Sequence, residues 1–145
     1  QRQGAKVYIG QADARGLSDD TYNLQRSGVY PVEPCRADVL LTGGEEIGPA
    51  GIPLTVIATP GHSPGGICYV HEKSKTIFSG DTLFLENVGR CDLIGGSAQA
   101  LYDSVREKLF PLKDDYKVLP GHDVATTLAH ERQYNPYLQR SPELW

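Results

Sequence analysis

Two segments of this chain run from a short apolar strand through Pro-Gly into a histidine. Residues 56–62 read Val-Ile-Ala-Thr-Pro-Gly-His62, and residues 118–122 read Val-Leu-Pro-Gly-His122. Proline lacks an N–H and ends a sheet ladder, and glycine then allows a sharp turn. In layered α/β folds, site side chains tend to stand at the carboxyl ends of strands. The repeat therefore predicts an α/β fold with both histidines at one sheet edge, although either histidine alone is more typical of an ordinary turn.

A third segment follows the same plan. Residues 76–81 read Thr-Ile-Phe-Ser-Gly-Asp81, which is a strand, a small turn and then a carboxylate. Asp81 by itself would be read as a turn or helix-cap residue. Together, His62, Asp81 and His122 are three potential ligands of the types that zinc, iron and manganese accept in proteins. The sequence therefore predicts a metal site.

The pattern of apolar residues predicts the elements around these segments. Residues 67–70 and 76–79 flank a polar turn and predict a β-hairpin. An amphipathic helix is indicated by one apolar face, with Ser97 as its cap and Pro111 as its stop. The apolar positions of that face are Ala98, Leu101, Val105 and Leu109. Further strands are predicted at 6–9, 54–58 and 117–119, and further helices within 13–27 and over 126–133.

Composition limits the class of protein. A length of 145 residues fits one domain, and a net charge of −4 gives no general attraction to nucleic acid or anionic lipid. No apolar run approaches the ~20 residues that span a bilayer, so we expect no membrane segment. The three separated cysteines suit reduced thiols, which predicts a cytoplasmic protein. Because the chain has no Met and opens on Gln, we expect it to be part of a longer protein.

Four segments in this order resemble motifs of the metallo-β-lactamase superfamily, in the arrangement of its glyoxalase II branch. They are Thr-Pro-Gly-His62-Ser-Pro-Gly, Ser-Gly-Asp81-Thr-Leu-Phe, Gly-Arg90-Cys-Asp92-Leu and Pro-Gly-His122-Asp. The tail, residues 126–136, resembles the single-domain bacterial hydrolases of the hydroxyacylglutathione hydrolase type. The resemblance implies that residues 1–145 are a partial domain, the C-terminal portion of an αββα sandwich.

The resemblance also implies residue roles. His62 would be the third histidine of a first metal site, Asp81 would bridge both metals, and His122 would complete the second site. Two divalent ions are implied, with zinc as first choice and iron or manganese as alternatives. A bridging hydroxide would attack the carbonyl of a small-molecule glutathione thioester. Arg90 is a candidate substrate contact, and an ion pair with Asp92 is its equally weighted alternative.

One motif of the family is absent. The leading H-x-H-x-D-H does not occur, since the four histidines, His62, His71, His122 and His130, do not have that spacing. We therefore expect a missing N-terminal part, an inactive isolated chain, and a sheet face covered by that part or by self-association. Alternative functions are an iron-dependent persulfide dioxygenase of the same fold, a non-catalytic binding module and, more weakly, a lactonase or β-lactamase.

Overall fold

The computed structural model describes residues 4–23 and 33–144. Within these ranges the α-helices are α1 (Ala98–Asp103) and α2 (Leu128–Tyr134), and 3₁₀ turns cover Gln11–Leu17, Pro49–Gly51, Glu72–Ser74 and Pro142–Leu144. The strands of the same ranges, in chain order, are β1 (Tyr8–Gly10), β2 (Val39–Leu41), β3 (Glu46–Ile47), β4 (Leu54–Ala58), β5 (Ile67–His71), β6 (Thr76–Gly80), β7 (Leu83–Phe84), β8 (Asn87–Val88), β9 (Lys117–Pro120) and β10 (Thr126–Thr127).

Six strands form one mixed sheet in the order β10-β9-β6-β5-β4-β3. The predicted hairpin is present as β5 and β6, in which Tyr69 pairs with Phe78. β6 and β9 run parallel, whereas the other neighbours are antiparallel. Since β4 and β6 are both antiparallel to β5, the strands β4, β6 and β9 all point the same way. The α/β fold class predicted from the sequence is confirmed.

One face of this sheet packs against the helices. Side chains alternate along β5 and β6, so Cys68, Val70 and Ile77 are all buried on that face. The helical side of the core confirms the predicted apolar stripe, because Leu101, Val105 and Leu109 are fully buried. Alternation with a period of two on the strands and of about four on the helix is what a helix-on-sheet layer requires.

The helix that carries this stripe changes its pitch halfway. The side chain of Ser97 accepts the N–H of Ala100 at 3.2 Å and caps α1, as predicted. After Asp103 the chain continues as a π-helical segment, Ser104–Leu109, in which the N–H of Phe110 donates to the carbonyl of Val105. The sequence indicated one regular helix, because an apolar spacing of four residues serves both forms.

The opposite sheet face is only partly covered. The register of β5, β6 and β9 places Tyr69, Phe78 and Leu119 side by side on it. Phe78 lies on a central strand and is nevertheless 43% exposed. β1 and β2 form a separate parallel pair. In the described ranges no helix is long and apolar enough to cross a bilayer.

The start of the last predicted helix is wrong. Thr126 and Thr127 form β10 against β9, and α2 begins only at Leu128. The hydroxyl of Thr127 accepts the N–H of His130 at 3.2 Å, so this residue is the helix cap rather than part of the helix. Of the one or two helices predicted within 13–27, the first corresponds to the turn Gln11–Leu17, and residues 24–27 of the second lie outside the described residues.

Candidate metal centre

The three predicted ligands follow the three strands that point the same way. Asp81 comes directly after β6, His122 follows β9 by two residues, and His62 follows β4 by four. Because these strands run in one direction, their carboxyl ends meet at one edge of the sheet. The structure accordingly brings the three side chains together there.

The carboxylate of Asp81 lies between the two imidazoles. Nε2 of His62 is 3.6 Å from Oδ2 of Asp81, and Nε2 of His122 is 3.9 Å from Oδ1. Each histidine therefore faces a different oxygen of one carboxylate. Both distances exceed a hydrogen bond. The ligand roles of these residues stay a prediction.

Hydrogen bonds at the far side of each ring orient the imidazole so that Nε2 is the nitrogen that faces Asp81. Nδ1 of His62 lies 2.9 Å from the carbonyl oxygen of Arg90, and a carbonyl only accepts. Nδ1 of His122 lies 2.8 Å from Oδ2 of Asp123, which orients that ring in the same way. With the hydrogen on Nδ1, a neutral ring presents an unprotonated Nε2 to the carboxylate. Outer partners of this kind orient metal-binding histidines in many proteins.

The loop that carries His62 is held from two sides. On one side, the N–H of Ser97 donates to the carbonyl of Gly61 at 2.8 Å, at the beginning of α1. Gly61 has a φ of +145°, and a side chain there would collide with Leu101. The hydroxyl of Ser104, 1% exposed, donates to the carbonyl of Pro60 at 2.8 Å. The pitch change of the helix thus lies where it meets this loop, and π-helical turns are frequent near functional sites.

The other side of the same loop is tied to the N-terminal turn. The hydroxyl of Ser63 donates to one oxygen of Asp13 at 2.5 Å, and the N–H of Gly65 donates to the other at 2.7 Å. Asp13 lies in the 3₁₀ turn Gln11–Leu17. The position of His62 therefore depends on a residue about fifty positions earlier in the chain.

The glycine of the second Pro-Gly-His segment makes room for the carboxylate. A Cβ on Gly121 would lie 2.5 Å from Oδ1 of Asp81, well inside van der Waals contact. The N–H of Gly121 donates to the carbonyl of Gly80, which holds the two loops together. Glycine is therefore required here for close approach of the His122 loop to Asp81.

A cavity of about 760 Å³ opens over the three side chains. Phe84 closes part of it, with its ring centroid 4.5 Å from that of His122. Arg90 and Asp92 also line this cavity and form a bidentate ion pair, with both nitrogen–oxygen distances at 2.7 Å. This hydrogen bonding raises the pKa of Arg90 and lowers the pKa of Asp92 to about 2. The structural alternative for Arg90 is thus observed, and its contact with substrate stays a prediction.

Residues 1–122 match the family model described as the metallo-β-lactamase superfamily. The chain belongs to the metallo-β-lactamase superfamily. Proteins of this superfamily are in general metal-dependent hydrolases that bind divalent metals. The mixed sheet of this chain, with helices on one face, agrees with membership in the superfamily.

Relatives in the superfamily are longer than this chain. An uncharacterized protein of Mycobacterium leprae is 36% identical over 143 residues, which cover 94% of this chain and 66% of the relative. The probable metallo-hydrolase YqgX of Bacillus subtilis is 36% identical over 135 residues, covering 91% and 63%. The hydroxyacylglutathione hydrolase GloC of Haemophilus influenzae is 38% identical over 95 residues, covering 66% and 45%. The chain thus spans about two thirds of the length of its first curated relatives.

Solved structures have a fold similar to that of this chain. BLEG-1, a B3 metallo-β-lactamase, superimposes with a TM-score of 0.87 at 34% identity, covering 93% of this chain and 66% of that one. TTHA1623 in a di-iron-bound form gives 0.79 at 32% identity, covering 92% and 65%. ETHE1 from Myxococcus xanthus gives 0.70 at 28% identity, covering 98% and 68%.

One buried carboxylate, that of Glu131, is not predicted from the sequence. Glu131 is fully buried and accepts hydrogen bonds from the hydroxyl of Thr126, the side-chain amide of Asn135 and the N–H of Glu86. It joins the end of the His122 loop to the β7–β8 turn. The signal was present, because Leu128, Glu131 and Asn135 recur at i, i+3 and i+7, on the buried face of α2.

The three candidate ligands form two pairs, His62 with Asp81 and His122 with Asp81. Within residues 4–23 and 33–144, no group of three or more His, Cys, Asp or Glu side chains is placed to hold a metal ion by itself. Each imidazole faces one oxygen of Asp81.

Proposed function

We propose that the protein is a metal-dependent hydrolase of glutathione thioesters, with hydroxyacylglutathione as the first candidate substrate. Asp81 would bridge two divalent ions, one beside His62 and one beside His122. The observation that carries the proposal is the placement of the two Nε2 atoms on different oxygens of Asp81, at 3.6 and 3.9 Å.

These distances suit metal ligands. Two ligand atoms at about 2.1 Å from a tetrahedral ion lie roughly 3.4 Å apart. The observed separations exceed that value by a few tenths of an ångström, which is within the reach of small side-chain rotations. Imidazole and carboxylate suit zinc first and also iron or manganese. When bound, the two metal ions would polarise the substrate carbonyl and lower the pKa of a bound water.

Each proposed metal position has two ligands from this chain, whereas catalytic zinc usually rests on three protein ligands. We propose that the remaining ligands come from residues outside this chain. The length of the relatives supports this, since the chain covers 66% of the Mycobacterium leprae protein and 63% of the Bacillus subtilis protein. The 145-residue chain alone is then expected to bind metal weakly and to lack turnover.

The residues of the chain would orient the reaction. The carbonyl of Arg90 and the carboxylate of Asp123 hold the two rings with Nε2 toward Asp81. Phe84 packs on His122 and keeps water from that side of the ring. The guanidinium of Arg90 lies at the exposed rim, where a carboxylate of the substrate would replace Asp92 at little desolvation cost.

The thioester class rests on likeness to a relative. The hydroxyacylglutathione hydrolase of Haemophilus influenzae shares 38% identity over 95 residues of this chain. Hydrolysis of such a thioester consumes one water and yields one carboxylate and one thiol. It needs neither a nucleophilic serine nor a nucleophilic cysteine, and burial raises the pKa of Cys68 to about 11, which keeps that thiol unreactive.

The partly covered sheet face supports a further part of the proposal. Tyr69, Phe78 and Leu119 form an apolar row on it, in which Phe78 is exposed and the other two are half-buried. Exposed apolar surface of this kind can mark a packing surface. We propose that residues of the same protein outside this chain cover the row. Light scattering on the protein expressed from its complete gene tests this. A monomer agrees with the proposal, whereas a dimer that Phe78→Lys dissociates would show that a second copy covers the face.

The test of function uses the protein expressed from its complete gene and purified without chelators. We expect two divalent ions per chain and release of one thiol per carboxylate from S-lactoylglutathione. His62→Ala, His122→Ala and Asp81→Asn should each lower turnover at least about 100-fold, the upper end of what loss of a partner of a metal ligand costs. His71→Ala is the control, since this histidine bonds Ser74 away from the centre.

Two outcomes contradict the proposal. One iron per chain, with oxygen consumed on glutathione persulfide and no thioester cleaved, would establish the dioxygenase. Neither metal nor turnover in the same protein would establish a binding module.

A further inference from the structure

A pair of buried threonines lies between the loops of His62 and Asp81. Oγ1 of Thr59 is 3.1 Å from Oγ1 of Thr82, and the two residues are 0% and 3% exposed. Thr59 begins the loop that leads to His62, whereas Thr82 directly follows Asp81. The contact joins segments that come from different strands, β4 and β6.

The pair belongs to a short hydrogen-bonded chain. Oγ1 of Thr59 also lies 3.3 Å from Sγ of Cys68, whose thiol donates to the carbonyl of Ser79 at 3.7 Å. Either hydroxyl of the pair can be the donor. One direction gives every hydrogen an acceptor: Thr82 donates to Thr59, Thr59 donates to Cys68, and Cys68 donates to Ser79.

This series of hydrogen bonds holds the backbone on both sides of Asp81. Ser79 is two residues before Asp81 and Thr82 is one residue after it, and both are linked to Thr59. The backbone strengthens the arrangement, because the N–H of Thr82 donates to the carbonyl of Ser79 at 3.0 Å. Displacing Thr59 would therefore shift the His62 loop relative to the carboxylate.

We infer that Thr59 and Thr82 are positioning residues, whose buried hydrogen bond sets the separation of His62 and Asp81 and so the affinity of the first metal position. The inference rests on the proposed metal-binding role of this pair. Neither residue lines the cavity of about 760 Å³ and both are buried, so their effect acts through the ligands that they hold. Partners of metal ligands typically change metal affinity by about 10–100-fold when they are removed.

The design separates positioning from stability. Valine has the shape of threonine without the hydroxyl. Thr59→Val removes the hydroxyl that Thr82 contacts, whereas Thr82→Val leaves the Thr59 hydroxyl with Cys68 as its remaining partner. The double variant removes both groups and is expected to recover much of the stability that each single variant loses. Thr59→Ser and Thr82→Ser keep the hydroxyl. Thr55→Val makes the same chemical change within β4, the strand that precedes Thr59, away from the centre.

The measurements are Zn²⁺ affinity by chelator competition, and the visible spectrum of the Co²⁺-loaded protein, made from the complete gene. We expect the double valine variant to melt near the unaltered protein, to bind the first Zn²⁺ about 10–100-fold more weakly, and to show an altered Co²⁺ spectrum. The serine variants and Thr55→Val should keep the unaltered affinity and spectrum.

The inference is overturned if the double valine variant keeps the affinity and spectrum, or if the serine variants lose as much as the valine variants. Failure of the thioester proposal is a separate result, because a protein that binds Zn²⁺ but cleaves no thioester still reports the effect of Thr59 and Thr82. A protein that binds neither Zn²⁺ nor Co²⁺ would overturn both.

Discussion

Replacing Gly121 with alanine should disturb the candidate metal centre while leaving the fold almost intact. The added Cβ would lie 2.5 Å from Oδ1 of Asp81, about 0.9 Å inside the 3.4 Å at which ordinary contact begins. The next atoms it would meet, in the backbone of Gly80, are already at 3.4 Å or more. The collision is therefore confined to the carboxylate oxygen that faces His122.

The loss in the free energy of unfolding depends on whether the side chain of Asp81 can move away from the added methyl group. Insertion of a methyl group into a rigid core costs about 1–3 kcal/mol. The side chain of Asp81 is 36% exposed and can rotate away, so the free energy of unfolding should fall by about 1 kcal/mol or less. Gly121 is not among the positive-φ residues, so alanine adds no backbone strain. The rotation removes the carboxylate from between the two imidazoles, and metal affinity should fall at least about tenfold.

The assay pairs chelator competition for Zn²⁺ with thermal unfolding of the metal-free protein. A loss of 1 kcal/mol corresponds to a melting shift of about 3 °C for a domain of this size. Gly48→Ala is the matched control, since Gly48 has a φ of −134° and open space around its Cβ position. Unchanged Zn²⁺ affinity in Gly121→Ala would show that the carboxylate of Asp81 is not displaced from the metal positions. A metal-free variant that no longer folds would show that the collision is not confined to that carboxylate.

Three further predictions concern groups outside the three candidate ligands. Burial raises the pKa of Cys68 to about 11, so peptide mass spectrometry after iodoacetamide should find it unmodified in the folded protein and modified after denaturation; labelling in the folded state would contradict its burial. The N–H and hydroxyl of Thr42 lower the pKa of Glu45 to about 2 from an ordinary 4.5, so the contribution of Glu45 to stability is present above pH 4.5 and lost as the pH falls toward 2. Glu45→Gln should make the free energy of unfolding depend less on pH in that window, and an unchanged pH dependence would contradict this. Glu131→Leu leaves three donors, two of them buried, without this acceptor, and should lower the free energy of unfolding in urea by roughly 3 kcal/mol. Glu131→Gln should cost less than half of that, and equal losses would contradict the hydrogen-bonding role of Glu131.

The sequence was informative where structure has a period or a fixed direction. The spacing of Leu101, Val105 and Leu109 predicts the buried helix face, because one turn of a helix returns to the same side. The convergence of His62 and Asp81 follows from two strand ends that share one sheet edge. Such inferences need no knowledge of distant contacts.

Contacts between loops carry no such signal. The two hydrogen bonds from the His62 loop to Asp13 join segments about fifty residues apart, and no local pattern pairs them. The π-helical turn at Ser104 was missed because its apolar spacing matches that of a regular helix. Thr126 and Thr127 were assigned to a helix because a two-residue strand is too short to show alternation.

Anomalous diffraction from a metal-loaded crystal of the protein expressed from its complete gene would locate the proposed ions. We expect two peaks about 3.5–4 Å apart, with Asp81 contacting both. Nε2 of His62 and Oδ2 of Asp81 should lie about 2.0–2.2 Å from one peak, and Nε2 of His122 and Oδ1 of Asp81 at that distance from the other. A single peak that Asp81 does not touch, or peaks away from both histidines, would contradict this expectation.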